Sequence, residues 1–263
     1  MEASELIRAG NLEGARQLAA AAVKSAPGDP AKRTLLVEIA AFCGDWERAL
    51  QHLEVIAAAD PGRATGVKVY RDLIAAEKER LQAARLQVQP AYLPEPPPYH
   101  AACAAARRHL AEGSAEQALA LLQETGARIP PVKGTLNGQR FEGLADTDSL
   151  LSFFLEAFVH DRYVLVPLET LQELAVPAPR RWVDLLWAPA RITTWEGLAV
   201  NCYLPVLYPE SFRHEDDRVK LGRMTDWAPL GAGLCRGAGQ HVFRAGEADL
   251  GILEIRDAAF SRE

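Results

Sequence analysis

Three groupings in this chain could do chemistry by residue type and spacing. His214, Glu215, Asp216 and Asp217 set an imidazole beside three carboxylates, the side chains that hold metals or pass protons. Consecutive loop residues rarely converge on one ion. Neither an H-E-x-x-H helix nor a second His/carboxylate motif supports them, so a solvated acidic turn is expected. Gly231-Ala232-Gly233-Leu234-Cys235-Arg236-Gly237 has the glycine content of a phosphate-cradling loop. A G-x-G-x-x-G fingerprint, however, needs glycine where Arg236 stands, and no G-x-x-x-x-G-K-[ST] run exists. A flexible turn and no cofactor are expected. The cysteines at 43, 103, 202 and 235 form no C-x-x-C pair and read as small buried thiols in a reducing compartment. His160-Asp161 reads as the C-terminal end of a helix, where imidazole meets the dipole.

The aromatic residues form the third grouping. Trp182, Trp187, Trp195 and Trp227 fall within 46 residues, together with Tyr203 and Tyr208. Their bulk suits a small core, and one or two could instead anchor a partner, a role in which aromatic and Arg side chains are enriched. Asp184, Arg223 and Asp226 stand among them and are expected to be ion pairs or turn caps. The residues nominated for partner binding are Trp46, Tyr70, Trp195, Arg223 and Trp227. No catalytic residue and no metal ligand is nominated. The enzymatic alternative, a hydrolase in the rear half, would rely on His214, Asp216, Asp226 and His241.

The elements that must position these residues change character midway. Residues 1–88 are rich in Ala, Leu, Glu and Arg, which are strong helix formers. Five prolines between 90 and 98 cannot continue a helix, and residues 101–124 return to helical composition. An internal repeat organises this front part. Gly10 aligns with Gly44, Glu13 with Glu47, Ala15 with Ala49, Pro27 with Pro61 and Gly28 with Gly62, all at an offset of 34. A third copy begins at Gly113 and keeps Ala118 and Pro130. Glycine permits the turn, alanine lets two helices approach, and proline ends the second helix. The period and punctuation resemble the tetratricopeptide repeat, a helix–turn–helix unit. A frame from Glu79 lacks the turn glycine, so one long helix is expected over 67–88. Such arrays commonly bind polypeptides in a concave groove.

From about 131 the chain reads as short strands. Asn137-Gly138 signals a two-residue hairpin. Asp146 or Thr147 can cap a helix whose Leu151, Phe154, Leu155 and Phe158 recur at i, i+3, i+4 and i+7. A strand over 162–166, a short helix over 168–174, and strands over 198–207, 241–244 and 250–256 complete the reading. The expected fold is α+β: an all-helical tetratricopeptide-like domain at 1–130, with a Pro-rich interruption at 90–98, then a mixed α+β domain at 131–263 with a small antiparallel or mixed sheet.

Charge and hydropathy exclude other classes. With 29 basic and 35 acidic side chains the net charge is −6, against the phosphate-binding surface of a nucleic-acid binder and a polybasic membrane surface. The N-terminal residues lack a secretory signal, and no apolar run approaches the roughly 18 residues of a spanning helix. A cytoplasmic location is expected.

Several strings are more specific. Arg180-Arg181-Trp182-Val183-Asp184-Leu185-Leu186-Trp187-Ala188-Pro189-Ala190 resembles the Asp-Leu-Leu-Trp-x-Pro-Ala element of the ImpE family, also called TagJ or SciE. The runs 204–212 (LPVLYPESF), 221–229 (LGRMTDWAP) and 237–243 (GAGQHVF) resemble it in the same order, as do AGNLEGA and CGDWERAL in the front half. The resemblance implies an accessory component of a bacterial type VI secretion system. It further implies a partner, the N-terminal amphipathic helix of the small contractile-sheath subunit, and so a link to sheath assembly or, indirectly, to the ATPase that recycles sheath. One departure is His241, where the family pattern leads one to expect arginine; losing the permanent bidentate fork puts carboxylate recognition there in question. A non-enzymatic adaptor is therefore the leading expectation, with the hydrolase and a general repeat-type scaffold or chaperone as alternatives.

Overall fold

Gly10, Gly44 and Gly113 adopt φ of 78°, 69° and 77°, left-handed geometry that a Cβ makes costly. Each closes the first helix of a hairpin. The computed structural model, which describes residues 2–262, pairs α1 (Ala3–Arg8) with α2 (Leu12–Ser25), α3 (Pro30–Phe42) with α4 (Trp46–Ala59), and α6 (His100–Ala111) with α7 (Ala115–Arg128). Ala15, Ala49 and Ala118 are fully buried, as close helix approach requires. Asn11 caps α2 through the Gly14 amide at 2.7 Å. Asp29 caps α3 just before Pro30, which sits in the first turn, where its missing N–H is harmless. The expected single long helix is α5 (Ala64–Ala84).

After α5 the prolines hold the chain extended, and β1 (Ala91–Tyr92) lies parallel to β6 (Arg162–Pro167). The Asn137-Gly138 hairpin forms as expected between β2 (Lys133–Leu136) and β3 (Gln139–Glu142). The remaining strands are β4 (Leu144–Asp146), β5 (Phe154–Val159), β7 (Leu171–Ala175), β8 (Trp187–Thr194), β9 (Ala199–Pro205), β10 (Thr225–Gly231), β11 (Leu234–Gly239), β12 (Val242–Ala245), β13 (Ala248–Gly251) and β14 (Asp257–Ser261), with a short α8 (Asp217–Lys220). The sheet is large, not small. Nine strands run in the order β1-β6-β5-β9-β8-β7-β14-β2-β3, with the three-stranded β13-β12-β4 and the β10–β11 hairpin beside it.

Three expected elements differ. The helix proposed from Asp146 onward is β4, a turn and β5; all of 154–158 is buried, so an internal strand covered on both faces imitates a helical apolar pattern. His160 consequently lies not at a helix end but in the β5–β6 turn, at φ 55°. The helix over 168–174 is one 3-10 turn (Leu168–Thr170) leading into β7, and the strand over 250–256 stops at Gly251 before a further 3-10 turn and β14.

One hydrophobic core runs continuously from Ile7 and Leu36 to Ile192 and Phe260, with a satellite of Ala106, Ala118, Leu122 and Leu234 joining α6–α7 to β11. Every residue from Leu36 to Phe42 is buried, which a helix achieves only when covered all round. The cover comes from α2 and α4 on either side, and the rear half packs against the same helical layer. Trp46 packs on Trp187 and edge-on to Phe212, and the guanidinium of Arg8 lies over Trp182. The Leu12 amide donates to Asp217 at 2.8 Å. Part of the surface of the helical repeats is thus packed against the chain's own strands and loops.

Candidate functional site

Helix α5 crosses β5 and β6 carrying Glu77 and Arg80 one turn apart on the covered face, so Arg80 projects into the seam between helices and sheet. Its guanidinium is 2% exposed and fully engaged. Nε donates to Glu156 Oε1 at 3.0 Å, Nη1 to Glu77 Oε1 at 3.1 Å, and Nη2 to the Leu207 carbonyl at 2.7 Å and to Glu156 Oε2. The Tyr163 hydroxyl donates to Glu156 Oε1 at 2.6 Å, and Trp187 Nε1 to Glu77 Oε2 at 3.1 Å. His241 is 2% exposed and meets Asp146 through Nδ1 at 2.7 Å and Glu156 through Nε2 at 3.0 Å. The Tyr208 hydroxyl also donates to Asp146, at 2.7 Å. Arg80 Nη2 lies 3.1 Å from His241 Nε2 because both donors share Glu156 Oε2. Two cations thus face three carboxylates in the buried seam.

The electrostatics follow from that arrangement. Burial alone would raise the Glu156 carboxyl, but the charge and hydrogen bonds of Arg80 and His241 outweigh it and hold the group well below the usual carboxylate range. Burial would likewise lower His241; Asp146 and Glu156 reverse this and lift it to about 9. His241 is therefore a cation at neutral pH, and the substitution noted at this position retains a charge directed at carboxylates. With both ring nitrogens donating to carboxylates, it has no free lone pair to act as a base. This constellation joins the two halves of the molecule.

The Gly-rich segment serves the same seam. Gly231 to Gly233 turn the β10–β11 hairpin, while Arg236 and Gly237 lie on β11, so only its first part is a loop. A side chain at Gly237 would overlap the Tyr208 ring.

The nominated binding residues are dispersed: among the described residues no hydrogen bond, ion pair or ring contact joins any two of them. Trp46 is half-buried against Trp187 and Phe212. Tyr70, also half-buried, donates to the buried Glu38 at 2.6 Å. The exposed Arg223 donates through Nη1 and Nη2 to the carbonyls of Arg8 and Ile7, each at 2.6 Å, capping the C-terminal end of α1. Trp195 is half-buried beneath the Arg262 guanidinium at 4.8 Å. Trp227 is 36% exposed and rests edge-on against Tyr208.

Of the hydrolase candidates, three lie near one another at the surface, on the loop before α8 and at the start of β10, and the fourth does not. His214 Nε2 lies 3.2 Å from Asp226, and its Nδ1 accepts the Asp216 amide at 3.0 Å. Asp216 caps α8, and its hydrogen bonds to Arg218 lower its carboxyl to about 2. His241 is buried elsewhere, in the seam. Among the described residues no three His, Cys, Asp or Glu side chains cluster as metal ligands, and no helix is long and apolar enough to cross a membrane. Asp184 is an internal cap, accepting the amides of Arg180 and Arg181 at 2.9 and 3.0 Å.

Sequence reasoning passed over Arg80, Glu77, Glu156 and Asp146 as site residues. The only local sign was their placement: a charged pair inside an otherwise apolar helix face, and a glutamate inside an apolar strand.

Comparison with known proteins agrees with this architecture. The ImpE protein family model matches residues 138–259 and a tetratricopeptide repeat model matches residues 6–69. The crystal structure of protein VPA1032 from Vibrio parahaemolyticus superposes with a TM-score of 0.89, covering 99% of this chain and 98% of that one, at 23% identity; it shares the fold. The type VI secretion system accessory component TagJ of Pseudomonas aeruginosa is 34% identical over 260 residues, 99% of this chain and 91% of TagJ. With that identity over nearly its whole length, the chain belongs to the ImpE family.

Proposed function

We propose that the protein is a non-enzymatic, cytoplasmic accessory component of a bacterial type VI secretion system. On this reading it binds the N-terminal amphipathic helix of the small contractile-sheath subunit, and so influences sheath assembly or, indirectly, the ATPase that recycles contracted sheath. The observation that carries it is the 34% identity to TagJ across 99% of the chain. The state of the candidate acid–base groups supports a binding role: His241 is saturated by two carboxylates and Asp216 by its helix cap and Arg218. Rear-half residues pack against part of the repeats, which favours a binding face on the surface left open. Trp227, the one exposed aromatic side chain among them, is the first proposed anchor, and Trp46, Tyr70, Trp195 and Arg223 remain proposed beside it.

Size-exclusion chromatography of the full chain mixed with the small sheath subunit, with and without its first helix, tests the reading. Co-elution that requires the helix is expected, and Trp227→Ala should weaken it about tenfold, as for an interface anchor. No co-elution with either form, or equal co-elution with both, overturns it.

A further inference from the structure

Between the α6–α7 hairpin and the main core lies a cavity of about 200 Å³, an order of magnitude above the ~10–15 Å³ that admits one water. Leu110 and Leu150 form part of its apolar wall, and Arg107, Arg236, Asp148 and Glu156 are its charged lining. The two acids are already committed. Asp148 accepts the Leu150 amide at 2.8 Å and the Gly237 amide at 3.0 Å. Glu156 is held by Arg80, Tyr163 and His241.

The two arginines keep spare donors, although the charge of Arg236 also acts on the Asp148 carboxylate. Arg107 donates a single hydrogen bond, Nη2 to the Leu150 carbonyl at 3.2 Å. The Arg236 side chain makes no hydrogen bond or ion pair among the described residues, although both arginines are half-buried. Elsewhere in the molecule the half-buried Arg16 and the fully buried Arg80 each meet a carboxylate. Two guanidinium forks with spare donors beside the leucine wall of this cavity suit one complementary group, a carboxylate on an aliphatic chain.

We propose that this cavity binds an aliphatic carboxylate, with Arg107 and Arg236 holding the charge and the chain lying along Leu110 and Leu150. Two sources share that chemistry: a free medium-chain carboxylate, and the C-terminal leucine of a polypeptide. The site does not depend on the sheath-binding reading.

Methyl and amide NMR titration of the full chain with hexanoate and with N-acetyl-leucine tests it, against hexanol and N-acetyl-leucinamide as uncharged counterparts. Saturable shifts at the Leu110 and Leu150 methyls are expected with the two carboxylates, and at least about tenfold weaker binding of the uncharged probes, the loss that goes with a charge-assisted hydrogen bond. Arg236→Gln should weaken the carboxylates by a similar factor without changing the melting temperature. N-acetyl-leucine binding more tightly than hexanoate would identify the peptide terminus as the source, and the reverse order the free carboxylate. No shift with either carboxylate, equal binding of hexanol, or unchanged affinity in both Arg236→Gln and Arg107→Gln overturns the proposal.

Discussion

Replacing Arg80 with methionine removes the cation that Glu77 and Glu156 share while keeping an unbranched side chain in its place. Both carboxylates are buried, so they regain little hydration when the cation is removed. Breaking a buried pair by deleting one partner costs about 3–5 kcal/mol. With an unfolding entropy of about 2.1 cal/mol/K per residue over 263 residues, that cost lowers Tm by roughly 5–9 °C.

The pH dependence gives the deletion a signature. In the native protein the Glu156 carboxyl lies below its ordinary value near 4.5, because Arg80 and His241 outweigh burial. It therefore stabilises the fold above that value and ceases to do so as pH falls through the depressed one. In Arg80→Met burial gains weight, so the deficit should be largest near neutral pH and shrink toward pH 4. Calorimetry at pH 4.5 and 7.5 reads this directly. Arg80→Met/Glu156→Gln should recover part of the loss, giving a coupling energy in the double-mutant cycle. A Tm change under about 2 °C, an identical deficit at both pH values, or strict additivity would refute the assigned role of the pair.

Other expectations are shorter. His241, raised to about 9 from 6.5, contributes stability that is complete below pH 6.5 and lost as pH rises through 9; the span is worth about 3 kcal/mol. Thermal melts from pH 6.5 to 10 should show this decline, and His241→Gln should flatten it. Gly44→Ala should destabilise more than Gly113→Ala. Both have left-handed φ, but a Cβ at Gly44 would overlap the Phe212 ring while Gly113 faces open space; the latter should cost only about 1 kcal/mol, measurable by urea denaturation. Burial pushes the thiols of Cys43 and Cys103 to about 11 and Cys202 to about 12. Iodoacetamide at pH 7.5 should leave these three unmodified in the native protein, and labelling faster than global unfolding would contradict that environment.

The repeat was legible because its information is local. Glycine, alanine and proline at fixed offsets each have one geometric task, and the Asn137-Gly138 hairpin was legible for the same reason. The segment from Leu151 to Phe158 was misread because β5 is covered on both faces and shows no alternation. Its apolar residues satisfy a helical template as well as a strand. The seam was not legible. Arg80 and Glu156 are 76 residues apart, Arg80 and His241 are 161 apart, and nothing near any of them announces the others. The nominated tryptophans show the converse difficulty. Trp46 carries the same signal as a surface anchor, and its packing on Phe212 and Trp187 could not be read from its neighbours in the sequence.

The strands and loops packed against the helices also remove a freedom that repeat arrays usually possess. In an open array each unit touches only its neighbours, so units can be gained or lost and the ends can unravel separately. Here an inserted pair of helices would carry Arg80 away from Glu156 and Gly44 away from Phe212. The architecture is thereby fixed in length, and its unwinding should be a single cooperative event.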